Sequence, residues 1–227
     1  MEISYTHRFM FIHVYRVAGN SVSAALRPYS HVPPRRAIDR VPIVRRIGFP
    51  RDRKVLEHRY GHMKAKDVRA ALPELFDECF KFAFVRNPWD WQVSVYHYVR
   101  QREDHPDHAR FSRFRDFDEY LDWRVHDEGP ELQSEFILDD GGELIVDFVG
   151  HFESLTQDFA TVCERVGIPA ELPHINSSEH RDYREHYSPE ARVLVSEAYA
   201  GDIELFGYDF DEPRALPPLT RASGSTA

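Results

Sequence analysis

Two short stretches of this 227-residue chain have the residue types and spacing to hold anions. In the first, Arg16-Val17-Ala18-Gly19-Asn20-Ser21 follows the apolar run at 9–15 and leads into Val22-Ser23-Ala24-Ala25-Leu26. Small residues let a ligand approach the backbone, a helix N-terminus presents partly positive N–H groups, and Arg16 adds a full charge. In the second, Arg86-Asn87-Pro88-Trp89-Asp90 follows another apolar run, 80–85. Arg86, at the end of that run, and Ser94, seven residues after Asn87, fall near one face of the helix that Asn87 opens and can grip one phosphate together. Each stretch also reads as ordinary structure: a strand-to-helix connection in the first case, an arginine paired with a carboxylate and a mid-helix serine in the second. The first is not a Walker motif, because G-x-x-x-x-G-K-[ST] is absent. That counts against a magnesium-dependent ATPase or GTPase.

Holding such turns in place requires buried strands that run straight into helices. The run at 9–15 (FMFIHVY) is apolar on both alternating faces, as in a central strand of a parallel sheet, and FKFAFV at 80–85 and LIVDFV at 144–149 read the same way. After the first, Ala18 to Ser21 form a tight turn with a capping residue, and the helix starts at VSAAL. After the second, Asn87 is the expected N-cap, Pro88 the first helical residue and Asp90 the reciprocal capping partner of a helix reaching about Arg102. Asp67 caps a short helix to Leu72, and further helices are expected at 116–123, 130–138, after the Ser154-Leu155-Thr156-Gln157 capping box up to Gly167, and from Ser188 to Phe206, stopped by Gly207. Three buried strands each leading into helices predict an α/β fold, three-layered and P-loop-like, with a mostly parallel central sheet flanked by helices. In such folds ligands sit beyond the carboxyl ends of the strands.

Composition narrows the function. Hydrophobic residues make up 42% of the chain, enough for one substantial core. The formal net charge of −9 argues against general nucleic-acid binding, which needs a basic face. Yet the proline-rich excursion at 28–54 carries eight basic residues, Arg35, Arg36, Arg40, Arg45, Arg46, Arg51, Arg53 and Lys54, against Asp39 and Asp52. Such a strip can meet an anionic ligand or be a solvated face. No apolar run is long enough to span a membrane, and the N-terminal residues lack the order of a signal peptide, so a cytoplasmic location is expected. Cys79 and Cys163 are far apart in core-like segments, which suggests neither a disulfide framework nor a zinc site.

The run from Phe11 to Ser21, followed by Val85-Arg86-Asn87-Pro88 and Ser94-Val95-Tyr96, resembles the PAPS-dependent sulfotransferases, particularly the carbohydrate branch of heparan sulfate 2-O-sulfotransferase type. The similarity extends through Asp147-Phe148-Val149-Gly150-His151-Phe152-Glu153 and Asn176-Ser177-Ser178 to Tyr183, Tyr187 and Phe206-Gly207-Tyr208. Length and composition predict one domain over 1–212, with the Pro-, Ser- and Thr-rich 213–227 as a disordered tail. The resemblance implies a site for 3′-phosphoadenosine 5′-phosphosulfate (PAPS), with 3′-phosphoadenosine 5′-phosphate (PAP) as product and no required metal. In that site the turn of Arg16, Val17, Ala18, Gly19, Asn20 and Ser21 holds the 5′-phosphosulfate, and Arg86 with Ser94 holds the 3′-phosphate. The segment with Asn176, Ser177, Ser178, Arg181 and Arg184 falls near the 3′ side, or is a solvated loop. The family's turn usually reads proline, lysine, threonine, glycine, glycine, threonine, serine, so Tyr15, Arg16, Val17, Ala18 and Asn20 depart from it. Arg16 replaces the lysine that assists the leaving phosphate, with the same charge on a planar fork.

A base must take the acceptor's proton, and the resemblance points to His62, with His58 in reserve, because the similar enzymes carry a catalytic histidine before the second strand in a Gly-His context. The expected partner is a hydroxyl-bearing acceptor, either a carbohydrate, anionic ones included, or another small molecule. The alternative is a PAP-binding or PAPS-binding protein on the same fold with impaired turnover, motivated by the altered turn.

Overall fold

The computed structural model describes residues 1–30, 62–173, 182–212 and 217–221. Along the chain these form β1 (Glu2–Ser4), β2 (Phe9–Ile12), α1 (Gly19–Leu26), α2 (Ala65–Ala71), α3 (Pro73–Glu78), β3 (Phe80–Val85), α4 (Pro88–Gln101), α5 (His108–Phe111), α6 (Phe117–Trp123), β4 (Phe148–His151), α7 (Leu155–Val166), α8 (Pro189–Ala198), α9 (Ala200–Phe206) and β5 (Leu219–Thr220). Two compact units divide the chain. Met1–Val85, Glu135–Ile175 and Pro217–Ala227 make up one, Arg86–Ser134 and Asn176–Leu216 the other.

The first unit carries the sheet, in the order β1-β2-β3-β4-β5. β2, β3 and β4 are parallel, and β1 and β5 add antiparallel edges. This is an α/β fold with a mixed, mostly parallel sheet flanked by helices. The parallel strands are buried on both faces, as their unbroken apolar runs require. Phe9 pairs with Phe80 and Phe11 with Phe82 in register, and the Phe11 and Phe82 rings stack at 5.4 Å. On the next pair Phe84 faces Gly150, where a Cβ would come within 2.6 Å of the Phe84 ring and 2.9 Å of Asp158 on α7. Glycine there lets α7 lie close to the strands. Lys81 enters this core only as a pair: its Nζ is 2.9 Å from Asp147, whose carboxylate also accepts from the Lys81 N–H at 2.8 Å.

Several elements differ from expectation. α1 begins at Gly19 rather than at Val22, with Ala18 as an N-cap that offers no side-chain bond. The helix near Asp67 starts at Ala65, so Asp67 sits in its first turn. The expected helix at 130–138 is a single 3-10 turn, Ser134–Phe136, and Leu138 instead forms an isolated bridge with Leu144. The third parallel strand is shifted to Phe148–His151. Ser154 gives α7 no side-chain cap, its hydroxyl donating to Asp158 at 2.8 Å instead. The final helix is two, interrupted at Tyr199. Within the expected tail, Leu219–Thr220 pair with Phe148 and Val149 of β4. Of the basic excursion, residues 31–54 lie outside the described residues, as does His58. Among the described residues no helix is long and apolar enough to cross a membrane. Cys79 and Cys163 are free, buried thiols.

Candidate active site

In the first unit β2 and β3 are parallel neighbours, so both end at the same edge of the sheet. β2 runs out into His13 and then into the turn at 16–21. Val14 and Val17 are fully buried and pin the turn from inside, whereas Arg16 is partly exposed and Asn20 is exposed. Arg16 and Ala18 both adopt left-handed backbone, at φ 61° and 59°. A side chain there costs on the order of 1 kcal/mol per residue, and the fold sustains the cost twice within three residues. The result is a curled backbone that opens directly onto the first N–H groups of α1, a concavity suited to anions. Ala18 thus keeps a bend that a glycine in the usual family pattern makes without strain. Its carbonyl accepts from Ser21 N at 2.9 Å and Val22 N at 3.1 Å, closing the first helical turn.

Gly19 is required by what lies against it. A Cβ on Gly19 would sit 1.6 Å from Nε2 of His13, 2.1 Å from its Cδ2 and 2.5 Å from its Cε1. The His13 ring is wedged between this turn, the Phe11 ring stacked at 5.4 Å and the His62 ring at 4.6 Å. Burial, together with repulsion from neighbouring positive charge including His62, lowers the His13 pKa to about 2, so the ring stays neutral.

His62 is exposed, and its Nδ1 lies 3.1 Å from the His13 carbonyl oxygen. A carbonyl can only accept, so Nδ1 carries the hydrogen in the neutral ring and Nε2 is the basic nitrogen. Tyr15 stands edge-on to His62 at 6.1 Å and to Phe136 at 6.1 Å. Lys64 is ion-paired with Glu135 and lies over the Phe136 ring. The first unit therefore gathers the turn, His62, Tyr15 and Lys64 beyond the carboxyl end of β2. Lys64 and Glu135 are additions that no motif in the sequence marks, and His13, inside the run at 11–21, carries no role by sequence alone.

The second unit begins at Arg86, the residue after β3. Asn87 caps α4, its Oδ1 accepting from Trp89 N at 3.0 Å and Asp90 N at 3.4 Å, and Pro88 is the first helical residue as expected. Asp90 does not simply return to the cap: its carboxylate accepts from Arg86 Nε at 2.6 Å. Arg86 is 4% exposed and Ser94, two turns along α4, is fully buried. Tyrosines and backbone from the end of the unit brace this corner. Asn87 Nδ2 donates to Asp209 O at 3.2 Å, Tyr183 donates to Phe210 O at 2.6 Å, and Tyr187 donates to Trp89 O at 2.8 Å. Arg184 is exposed and tied to Asp182 and to Asp211 O, whereas Asn176, Ser177, Ser178 and Arg181 lie outside the described residues. The turn residues and His62 thus belong to one unit, and Arg86, Ser94 and Arg184 to the other.

The profile of the sulfotransferase family matches residues 2–209. The chain belongs to the sulfotransferase family. It is an enzyme of sulfuryl transfer. An uncharacterized protein of Archaeoglobus fulgidus is 32% identical over 112 residues, which is 49% of this chain and 88% of that one. Among solved structures, mouse sulfotransferase SULT7A1 complexed with PAP is similar over 89% of this chain and 86% of its own, at 14% identity and a TM-score of 0.43.

Proposed function

We propose that this sulfotransferase moves the sulfuryl group of PAPS to a hydroxyl of a carbohydrate or other small acceptor, with His62 as general base and the Arg16–Ser21 turn as the cradle of the 5′-phosphosulfate. The observation that carries this reading is the turn itself. Two left-handed residues, Arg16 and Ala18, curl the backbone onto the start of α1, and Gly19 has no room for a side chain. The donor supplies an activated sulfuryl group whose transfer spreads negative charge over in-line oxygens, so catalysis is positioning and cationic stabilisation. The turn's N–H groups and Arg16 meet the charge that grows on the departing phosphate oxygen. His62 Nε2 takes the acceptor's proton as the acceptor oxygen closes on sulfur and the bond from sulfur to the phosphate oxygen breaks. Arg86, with Ser94, takes the 3′-phosphate, and the family resemblance assigns Ser178 and Arg184 to the same end of the nucleotide.

Labelled PAPS offered with a panel of hydroxyl acceptors, including anionic polysaccharides, tests this function. Transfer by the wild type, suppressed in Arg16→Ala and His62→Ala, is the expected result. Transfer that survives both substitutions undiminished contradicts the assignment.

A further inference from the structure

The β2 partners of β3 end at Ala83 and the β4 partners at Val85, which faces His151, so Arg86 is the first residue with a strand partner on neither side. In a buried setting both groups need partners. Gln133 supplies them with one side chain: the Arg86 N–H donates to Gln133 Oε1 at 2.9 Å, and Gln133 Nε2 donates to the Arg86 carbonyl at 2.7 Å. A carboxamide offers the same donor and acceptor as a peptide, so it replaces the missing strand across Arg86 as an antiparallel partner would. Gln133 is fully buried and is itself held, its N–H donating to Asp202 Oδ2 at 2.7 Å. The second oxygen of Asp202 accepts from Ser134 N at 3.0 Å, and Asp202 is fully buried. With Asp90 on Nε and Asn87 capping α4 at the next residue, Arg86 is fixed at backbone and side chain alike.

We infer that Gln133, anchored by Asp202, is the positioning residue that aims Arg86 at the 3′-phosphate and so sets the enzyme's preference for a 3′-phosphorylated nucleotide. This rests on the reading that Arg86 takes that phosphate. Gln133 touches no nucleotide; it acts through the direction in which the Arg86 side chain leaves a clamped backbone. The alternative, a merely structural clamp, lowers affinity for every nucleotide alike.

The ratio of affinities for PAP and for adenosine 5′-phosphate separates the two. The ligands differ only at the 3′-phosphate, and calorimetry on the full chain gives both constants. Gln133→Leu is expected to lower the ratio about tenfold or more, the loss of one charge-assisted contact, with adenosine 5′-phosphate binding within about twofold of wild type. Arg86→Ala in the same assay reports on the underlying reading. A ratio lost in Arg86→Ala but kept in a folded Gln133→Leu overturns the positioning role alone, whereas a ratio kept in Arg86→Ala overturns both. Equal losses for the two ligands in Gln133→Leu also overturn it. Should Gln133→Leu not fold, Asp202→Asn carries the test, since an amide can accept from only one of the two N–H groups without turning a donor against a donor. An unchanged ratio there rejects the proposal.

Discussion

Placing one methyl group on Gly19 tests the architecture of the donor turn. In Gly19→Ala the new carbon would sit 1.6, 2.1 and 2.5 Å from three atoms of the His13 ring, where an ordinary contact is at least about 3.4 Å. The ring edge must therefore withdraw by nearly 2 Å, but Phe11 stacks on it and His62 lies 4.6 Å away. Overpacking of this kind costs about 1–3 kcal/mol, and the upper figure applies because no flexible side-chain end is available to give way. If the turn yields instead of the ring, its N–H groups leave their geometry, and a displacement of about 1 Å costs on the order of 100-fold in turnover. Thermal unfolding and PAP calorimetry on Gly19→Ala are expected to show a destabilisation of about 3 kcal/mol or at least a tenfold loss of affinity. His13→Ala in the Gly19→Ala background clears the space and is expected to restore part of whichever was lost. Wild-type stability and affinity in Gly19→Ala, or no relief from the second substitution, refutes the reasoning.

Four further outcomes follow from the same geometry. His62→Ala is expected to leave PAP affinity near wild type and to lower turnover by about 100-fold or more, measured with labelled PAPS at saturating donor. Arg16→Ala is expected to weaken PAP binding by about tenfold or more, read by calorimetry, because a charge-assisted contact is lost. The His13 pKa, lowered from 6.5 to about 2, means that between those values the unfolded chain binds a proton that the folded chain refuses. Its contribution is nil above pH 6.5 and destabilising below, reaching about 2 kcal/mol at pH 5, so His13→Phe is expected to flatten the decline in unfolding free energy on acidification relative to wild type. Asp147→Ala strands the buried Lys81 ammonium and is expected to cost about 3 kcal/mol in denaturant unfolding, the low end for a broken buried pair because Asp147 is 29% exposed.

Where a residue's neighbours in sequence decide its conformation, the chain could be read directly. FKFAFV at 80–85 is β3 to the residue, Asn87-Pro88 opens α4, and Asp116 caps α6 by accepting from Glu119 N at 2.9 Å. The tight turn between β2 and α1 was legible from its small residues beside a buried strand, and the sulfotransferase family from that run together with the arginine-asparagine-proline run. What the sequence concealed was decided by distant partners. A helix at 130–138 gives way because Gln133 is drawn onto Arg86, 47 positions earlier, and onto Asp202, 69 positions later. The shift of the third parallel strand to Phe148–His151 follows its pairing with β3, where Gly150 leaves room for the Phe84 ring. β1 and β5 are edge strands of three and two residues, too short to show a period. His13 lies within an apolar run, and only the fold sets its ring against Gly19 and its carbonyl against His62.

The most direct test of the central claim, that the Arg16–Ser21 turn is the cradle of a PAPS-dependent sulfotransferase, is calorimetric titration of the full chain with PAP, with ATP and magnesium as the comparison and Arg16→Ala as the control. Tight binding of PAP that exceeds that of ATP and falls about tenfold or more in Arg16→Ala is the predicted result. Failure of the folded protein to bind PAP, or binding indifferent to Arg16, would contradict the account.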